Sequence, residues 1–287
     1  METHRMDEKL TDYLFDLRGF LVLEAAIEQQ DLDAMNSWVD DQAEYVEQPW
    51  DASSDEPQRR WIGHIETHRY GNHDGVNFQN IVEGGPVFEK MIDHPAWIEL
   101  VRKYVNPINR LSIHENLLNV RGRGGHIYMH SGGHSPICYQ TFRQRNTGEW
   151  AVGQINVLMA LEDIGPGDGP TVVVPGSHKA TEFHPRLDVE LEPRREMPGG
   201  TAFAMEEVYL KAGDALFFTD GISHGSAERT NDGHRRTALY RYSPRYIRSR
   251  FNYALSDALR ARLTPARLEI LDPIEQRRPP ELNMERT

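Results

Sequence analysis

A single cysteine, Cys138, is the only thiol in the 287-residue chain. That excludes an internal disulfide and suits a reducing compartment, so the cytoplasm is the expected location. Long apolar runs are also missing. Stretches such as Leu21–Leu23 and Val172–Val174 fall far short of the roughly 20 residues needed to cross a bilayer, and no membrane partner is expected. The opening METHRMDEKLTDY is charged and lacks the apolar core of a secretory signal. Positive charge is in deficit, with 32 Lys and Arg against 44 Asp and Glu, a formal net charge of −12. Nucleic-acid polymers and anionic membranes would be repelled, whereas a local basic pocket remains compatible with an anionic small molecule.

Several chemical signatures are absent as well. There are no paired zinc-binding cysteines and no basic run with interleaved aromatics. No G-X-S-X-G elbow and no Walker-type phosphate loop occurs. GRGG at 122–125 lacks the strand-to-helix setting of a dinucleotide site. HENLLNVRG places Leu118 where a zinc protease needs its second histidine. No Asp or Glu lies between Arg121 and Arg145, a stretch that holds His126, His130 and His134.

What is present reads as a globular chain, 38% hydrophobic and 26% charged. Neither repeats nor low-complexity tracts appear, and one domain over 1–287 is expected. Phe20 to Leu23 is a strand candidate, followed by a helical pattern from about Glu28 to Val46 with Leu32, Met35, Trp38 and Val39 at helical spacing. Residues Pro49 to Gly85 read as loops, where a substrate lid would be built; Trp61, His64, Arg69 and Asn77 fall there, each better explained by a polar surface than by substrate contact. PVFEKMIDHPAWIELVRKYV reads as a helix interrupted at Asp93–Pro95. From about Leu111 the texture turns to strands. INVLMALEDI alternates with period 2, GPGDGPTVVVPGSH is turn, strand and turn, and YLKAGDALFFTDGISHGS and GHRRTALYRYSP supply two more strands. Short strands with glycine-rich turns predict a β-sandwich or barrel with helices outside it. The division is a helical and loop part at 1–115, a β core at 116–245, and a C-terminal helix and tail at 246–287.

Among chemistry-bearing residues, His224 stands at the end of an apolar strand, where a neutral imidazole can ligate a metal or simply hydrogen-bond. Arg235 follows on the next strand. An arginine within a sheet needs an anionic partner, and its planar guanidinium suits a carboxylate. Asn156 and Gln154 share one strand face, and inward polar groups need partners.

Three blocks of the chain resemble the phytanoyl-CoA dioxygenase (PhyH) family of non-haem Fe(II)/2-oxoglutarate oxygenases. They are LRGFLVLEAAIEQQDLDAMNSWV, NVLMALEDIGPGDGPTVVVPGSHK and GDALFFTDGISHGSAERTNDGHRRTALYRYSP. The resemblance implies a mostly β fold with flanking helices, a double-stranded β-helix (jelly roll, cupin-like) with iron at one mouth. It implies Fe(II), 2-oxoglutarate and O2 as cofactors and a small-molecule substrate. His224 becomes the distal iron ligand and His130 the proximal one, with His126 and His134 as alternatives. Arg235, with Arg236 its rival, grips the far carboxylate of 2-oxoglutarate, and Asn156, Thr171 and Tyr139 are candidates to assist. His178 and Lys179 read as a turn that caps a strand.

Here the chain departs from the family pattern. Where the family reads His-X-Asp, this sequence has His130-Ser131-Gly132. A glycine opens one more iron position, as the His-X-Gly or His-X-Ala motif does in iron/2-oxoglutarate halogenases, so chloride joins the cofactor expectations and chlorination of an aliphatic C–H bond the outcomes. The competing expectations are hydroxylation with water in the vacancy, and replacement of the acid by Asp220, four residues before His224. Two further alternatives are a degenerate site that binds little metal, and a cupin-like binding protein without redox activity.

Overall fold

The computed structural model describes residues 8–47, 59–69, 75–105, 110–131, 141–180, 205–247 and 254–271. The chain begins with helix α1 (Glu8–Arg18) and strand β1 (Phe20–Leu23), then helices α2 (Gln29–Asp40) and α3 (Ala43–Val46). Strands β2 (Arg59–Ile62), β3 (Ile65–His68) and β4 (Val76–Gln79) precede helices α4 (Pro86–Lys90) and α5 (Ile98–Val105). The sheets are completed by β5 (Leu111–Arg121), β6 (Ile127–His130), β7 (Ile155–Ala160), β8 (Thr171–Val173), β9 (Glu206–Val208), β10 (Ala215–Thr219), β11 (His224–Ser226) and β12 (Arg235–Pro244). Helices α6 (Asp257–Arg262) and α7 (Pro265–Leu271) close the described chain.

Two antiparallel sheets form a jelly roll. The larger has the order β1-β10-β7-β12-β5-β4-β3-β2 and the smaller β6-β11-β8-β9. Strand register explains how the larger sheet serves two masters. Leu118, Ala238, Tyr240, Val157, Met159 and Phe217 point outward, into the main core shared with Phe15, Leu32, Met35, Val101 and Tyr104 of the helices. Their alternates point inward. Phe20, Leu158, Leu216 and Phe218 meet Val173 and Val208 of the smaller sheet in a second apolar cluster. The remaining inward positions are polar and paired by register: Arg235 with Arg121, Thr237 with Asn119, and Arg241 with both Glu115 and Asn156. Polar side chains facing a barrel interior cost free energy unless something satisfies them, so this half of the interior marks the site.

One expectation is corrected. Residues 49–85 were expected as loops, yet 59–62, 65–68 and 76–79 are strands that extend the larger sheet beyond β5. Val76-Asn77-Phe78-Gln79 does alternate, but both of its faces are buried and its inward members are amides, which weakens the apolar signal. Asn77 therefore sits in the sheet, where it accepts from Asn119 Nδ2 at 3.0 Å. Arg69 donates to Val46 O at 2.8 Å, and Trp61 is 61% exposed on β2. Helices α1 and α6 are further additions, with no counterpart in the sequence expectations. The break expected at Asp93–Pro95 falls between α4 and α5, and the period-2 strand is β7.

Candidate metal and cosubstrate site

Strand β6 ends on one histidine and β11 begins on another. The strands are antiparallel neighbours in which His130 and His224 are direct Cα partners, so both side chains leave the same face. The ring centroids are 4.2 Å apart. Each Nδ1 lies against the carbonyl oxygen two residues earlier, His130 at 2.7 Å from Tyr128 O and His224 at 2.8 Å from Ile222 O. A carbonyl can only accept, so each Nδ1 carries the proton and each Nε2 keeps a lone pair for a ligand. Burial, reinforced by the His130 ring, presses the His224 pKa down to about 3 against the opposing pull of Asp220. His224 is thus neutral, the form a metal requires.

The close pass of the two strands has a local cause. A Cβ on Gly225 would meet Ile127 O at 2.7 Å and Met129 N at 2.9 Å. Only a residue without a side chain lets β6 lie this near β11.

Deeper in the barrel, Arg235 opens β12. It is 3% exposed and donates through Nη2 to Thr171 Oγ1 of β8 at 3.3 Å, while its buried Nε meets no partner. No acidic side chain pairs with it among the described residues. Its register partner Arg121 donates to Ser226 Oγ of β11. Burial, and then the charges of Arg121 and Arg229, pull the Arg235 pKa well below the ordinary value. Arg229 is neutralised by Asp168 at 3.1 Å. A desolvated guanidinium without an acid is costly, and a carboxylate from a bound small molecule satisfies it. The donor set therefore fits a dicarboxylate reaching inward from a metal at the two imidazoles.

Arg236, the rival, leaves the opposite face of β12 by strand alternation. It faces the helices, donating to Asn36 Oδ1 at 3.2 Å and Asp40 Oδ1 at 2.6 Å. His126 turns to Gly124 O at 3.1 Å and rests against Tyr128. Gly132, His134 and Tyr139 lie outside the described residues. His178 caps the turn after β8, its Nε2 at 3.1 Å from Asp16 O and its ring against Phe142. Asn156 is engaged away from Arg235: it accepts from Gln154 Nε2 at 3.0 Å and donates to Asp220 Oδ1 at 2.6 Å.

Asp220 joins the histidine pair. It is fully buried, and its Oδ1 stands 4.0 Å from His224 Nε2. Arg241 Nη1 donates to that same oxygen at 3.0 Å, while Arg241 Nε faces Glu115 at 2.7 Å and Gln79 Nε2 reaches Glu115 at 3.2 Å. Among the described residues, no three of His, Cys, Asp or Glu stand close enough together to hold a metal as they are. Arg121, Ser226, Arg241 and Glu115 are site residues that sequence reasoning missed. Alternation gave only a partial signal, because Glu115, Asn119 and Arg121 share a face of β5 with Leu117, and the opposite face also carries Ser112, His114 and Asn116.

The phytanoyl-CoA dioxygenase (PhyH) family matches residues 15–237. No curated protein matches the chain. Among solved structures, HygX from Streptomyces hygroscopicus with nickel and 2-oxoglutarate bound aligns with a TM-score of 0.64 at 21% identity, covering 89% of this chain and 94% of its own. AviO1 from Streptomyces viridochromogenes Tue57 aligns at 0.58 and 15%, covering 87% and 100%. The non-haem α-ketoglutarate-dependent carbocyclase SnoK, from nogalamycin biosynthesis, aligns at 0.55 and 14%, covering 95% and 94%. At these identities the likeness establishes a common fold. No helix among the described residues is long and apolar enough to cross a membrane.

Proposed function

The chain belongs to the phytanoyl-CoA dioxygenase (PhyH) family, and from that premise we propose that it is an Fe(II)- and 2-oxoglutarate-dependent oxidoreductase acting on a C–H bond of a small molecule. The observation that carries this reading is the approach of the His130 and His224 ring centroids to 4.2 Å, with Arg235, buried and without an acid among the described residues, deeper in the same barrel. HygX structures have been described with iron, with nickel and 2-oxoglutarate, and with hygromycin B as well, which supports the same cofactor set and a small-molecule substrate here. When bound, the iron couples decarboxylation of 2-oxoglutarate to reduction of O2 and so supplies the oxidant, with succinate and CO2 as products.

The protein's own residues bind, orient and exclude water. His130 and His224 present two imidazole nitrogens from adjacent strands. Arg235 and Thr171 hold the far carboxylate of the cosubstrate, and Phe218, whose ring centroid lies 4.9 Å from that of His224, keeps one wall apolar. The acidic surface and lone cysteine accord with the cytoplasm.

Oxygenation is the outcome we favour, because a buried carboxylate, Asp220, lies beside His224. Chlorination is the second reading, favoured by Gly132, which brings no ligating side chain two residues after His130. Adding 2-oxoglutarate to the Fe(II) protein without oxygen should give a charge-transfer absorption, and admitting oxygen should release succinate. Absence of both would leave a binding protein. Chloride-dependent turnover in the wild type, lost in Gly132→Asp, would select the chlorinating reading over the oxygenating one.

A further inference from the structure

We propose that Asp220 supplies the carboxylate ligand of the metal site, where the sequence has Gly132 in place of an acid two residues after His130. The inference rests on the metal reading of His130 and His224 and adds the identity of the third protein ligand.

Placement comes first. Asp220 follows β10, and the tight turn to β11, closed by Ile222 N donating to Thr219 O at 3.1 Å, folds it back over His224. The Asp220 backbone N–H donates to Gln154 O at 3.1 Å, which ties the turn to β7. Nδ1 of His224 is committed to Ile222 O, so the nitrogen that Asp220 faces at 4.0 Å is the metal-facing one. Two atoms 4.0 Å apart can share one ion at about 2.1 Å from each, and closure by about 1 Å would give the right-angled arrangement of a six-coordinate metal. Arrival of a dication between them provides the attraction for that closure.

Support comes second. Ligating carboxylates are themselves held by hydrogen bonds from neighbours, which fix their aim. Asp220 has two such donors on one oxygen, Asn156 Nδ2 at 2.6 Å and Arg241 Nη1 at 3.0 Å. Each donor is itself braced, Asn156 by Gln154 and Arg241 by Glu115. Asn156, Gln154, Arg241 and Glu115 thus converge to hold one buried acid beside the His224 ring. Sequence supplies the complement: no acid stands between Arg121 and Arg145, so the proximal strand offers none.

The experiment uses the full chain stripped of metal and titrated with Co(II), which does not react with oxygen as Fe(II) does. Wild type, Asp220→Asn, His224→Ala and the double variant Asp220→Asn/Gly132→Asp are compared by affinity and by visible absorption. Under the proposal, Asp220→Asn binds Co(II) about 100-fold more weakly, with an altered spectrum. The double variant regains much of the loss, because an acid now stands at the proximal position. Wild-type affinity and an unchanged spectrum in Asp220→Asn, with binding abolished in His224→Ala, would overturn the assignment of Asp220 and leave the histidine site intact. Full binding in His224→Ala would instead remove the site itself. Should Asp220→Asn not fold, a crystal structure of the wild type with Co(II) decides: an Asp220 oxygen at about 2.1 Å from the metal is expected, and one beyond about 3 Å overturns the proposal.

Discussion

His130 and His224 are register partners on neighbouring antiparallel strands, and the same tether, Nδ1 to the carbonyl two residues back, makes Nε2 the ligating nitrogen of each ring. Alanine at either position removes one imidazole nitrogen and puts no donor in its place. Substituting either by alanine should weaken Fe(II) or Co(II) binding more than about 100-fold and abolish succinate formation, with the far-ultraviolet circular dichroism unchanged. Calorimetry on the stripped protein gives the affinity. Retained binding in both single variants would refute the paired-imidazole site.

Adjacent arginines on β12 have opposite fates. Arg235 faces inward to Thr171, and Arg236 faces outward to Asp40 and Asn36. Removing a charged donor from a buried carboxylate costs about 1.5–3 kcal/mol, so Arg235→Gln should raise the KM for 2-oxoglutarate by about 10- to 100-fold. Arg236→Gln breaks partly exposed ion pairs worth up to about 1 kcal/mol, which lowers the melting temperature by a few degrees and leaves that KM alone. Steady-state kinetics with varied 2-oxoglutarate separate the two, and equal effects on KM would refute the division of labour.

The jelly roll was legible because its strands are short, apolar and punctuated by glycine turns, and His224 and Arg235 were legible through their resemblance to a family pattern. What escaped depended on partners distant in sequence. Asp220 was a bare possibility at four residues from His224, since nothing local shows that Asn156, 64 residues away, and Arg241 hold it buried. Arg235 and Arg236 could not be separated without knowing which face of β12 meets α2. Strand β4 escaped because inward amides, Asn77 and Gln79, took the place of the apolar residues that mark a buried face, and β2 and β3 because Arg59-Arg60-Trp61-Ile62 and Ile65-Glu66-Thr67-His68 hold few apolar residues. Polar residues inside a barrel erase the periodic signal at the site they build.

Gly225 offers a packing test of the site that touches no ligand. An alanine there would push its Cβ against backbone atoms of β6, at 2.7 Å from Ile127 O and 2.9 Å from Met129 N, and backbone cannot swing aside as a side chain can. Overpacking of this kind costs about 1–3 kcal/mol. Gly225→Ala should therefore lower the urea midpoint and, by separating β6 from β11, also weaken metal binding. A variant with wild-type stability and affinity would show that the strands do not need this close contact.

A final prediction concerns His178, which fastens α1 to the turn after β8. Its ring packs on Phe142 and directly over Gly19, its Nε2 donates to Asp16 O at 3.1 Å, and its buried Nδ1 has no partner among the described residues. Burial, aided by the neighbouring Lys179 ammonium and opposed by the bond to Asp16, lowers its pKa to about 4 from an unfolded value near 6.5. Between those two values the unfolded chain binds a proton that the folded chain refuses, so stability falls as pH drops from about 6.5 to about 4 and levels off below. The loss amounts to about 3 kcal/mol at most. His68, His94 and His234, also lowered by burial, add losses of the same sign. The Asp16 carboxylate, held below its ordinary value by Lys179 and Arg143 despite its burial, contributes its own loss only at lower pH. Urea denaturation from pH 7 to 4 should give a shallower decline for His178→Gln than for the wild type. Parallel curves would assign the acid sensitivity to the other histidines.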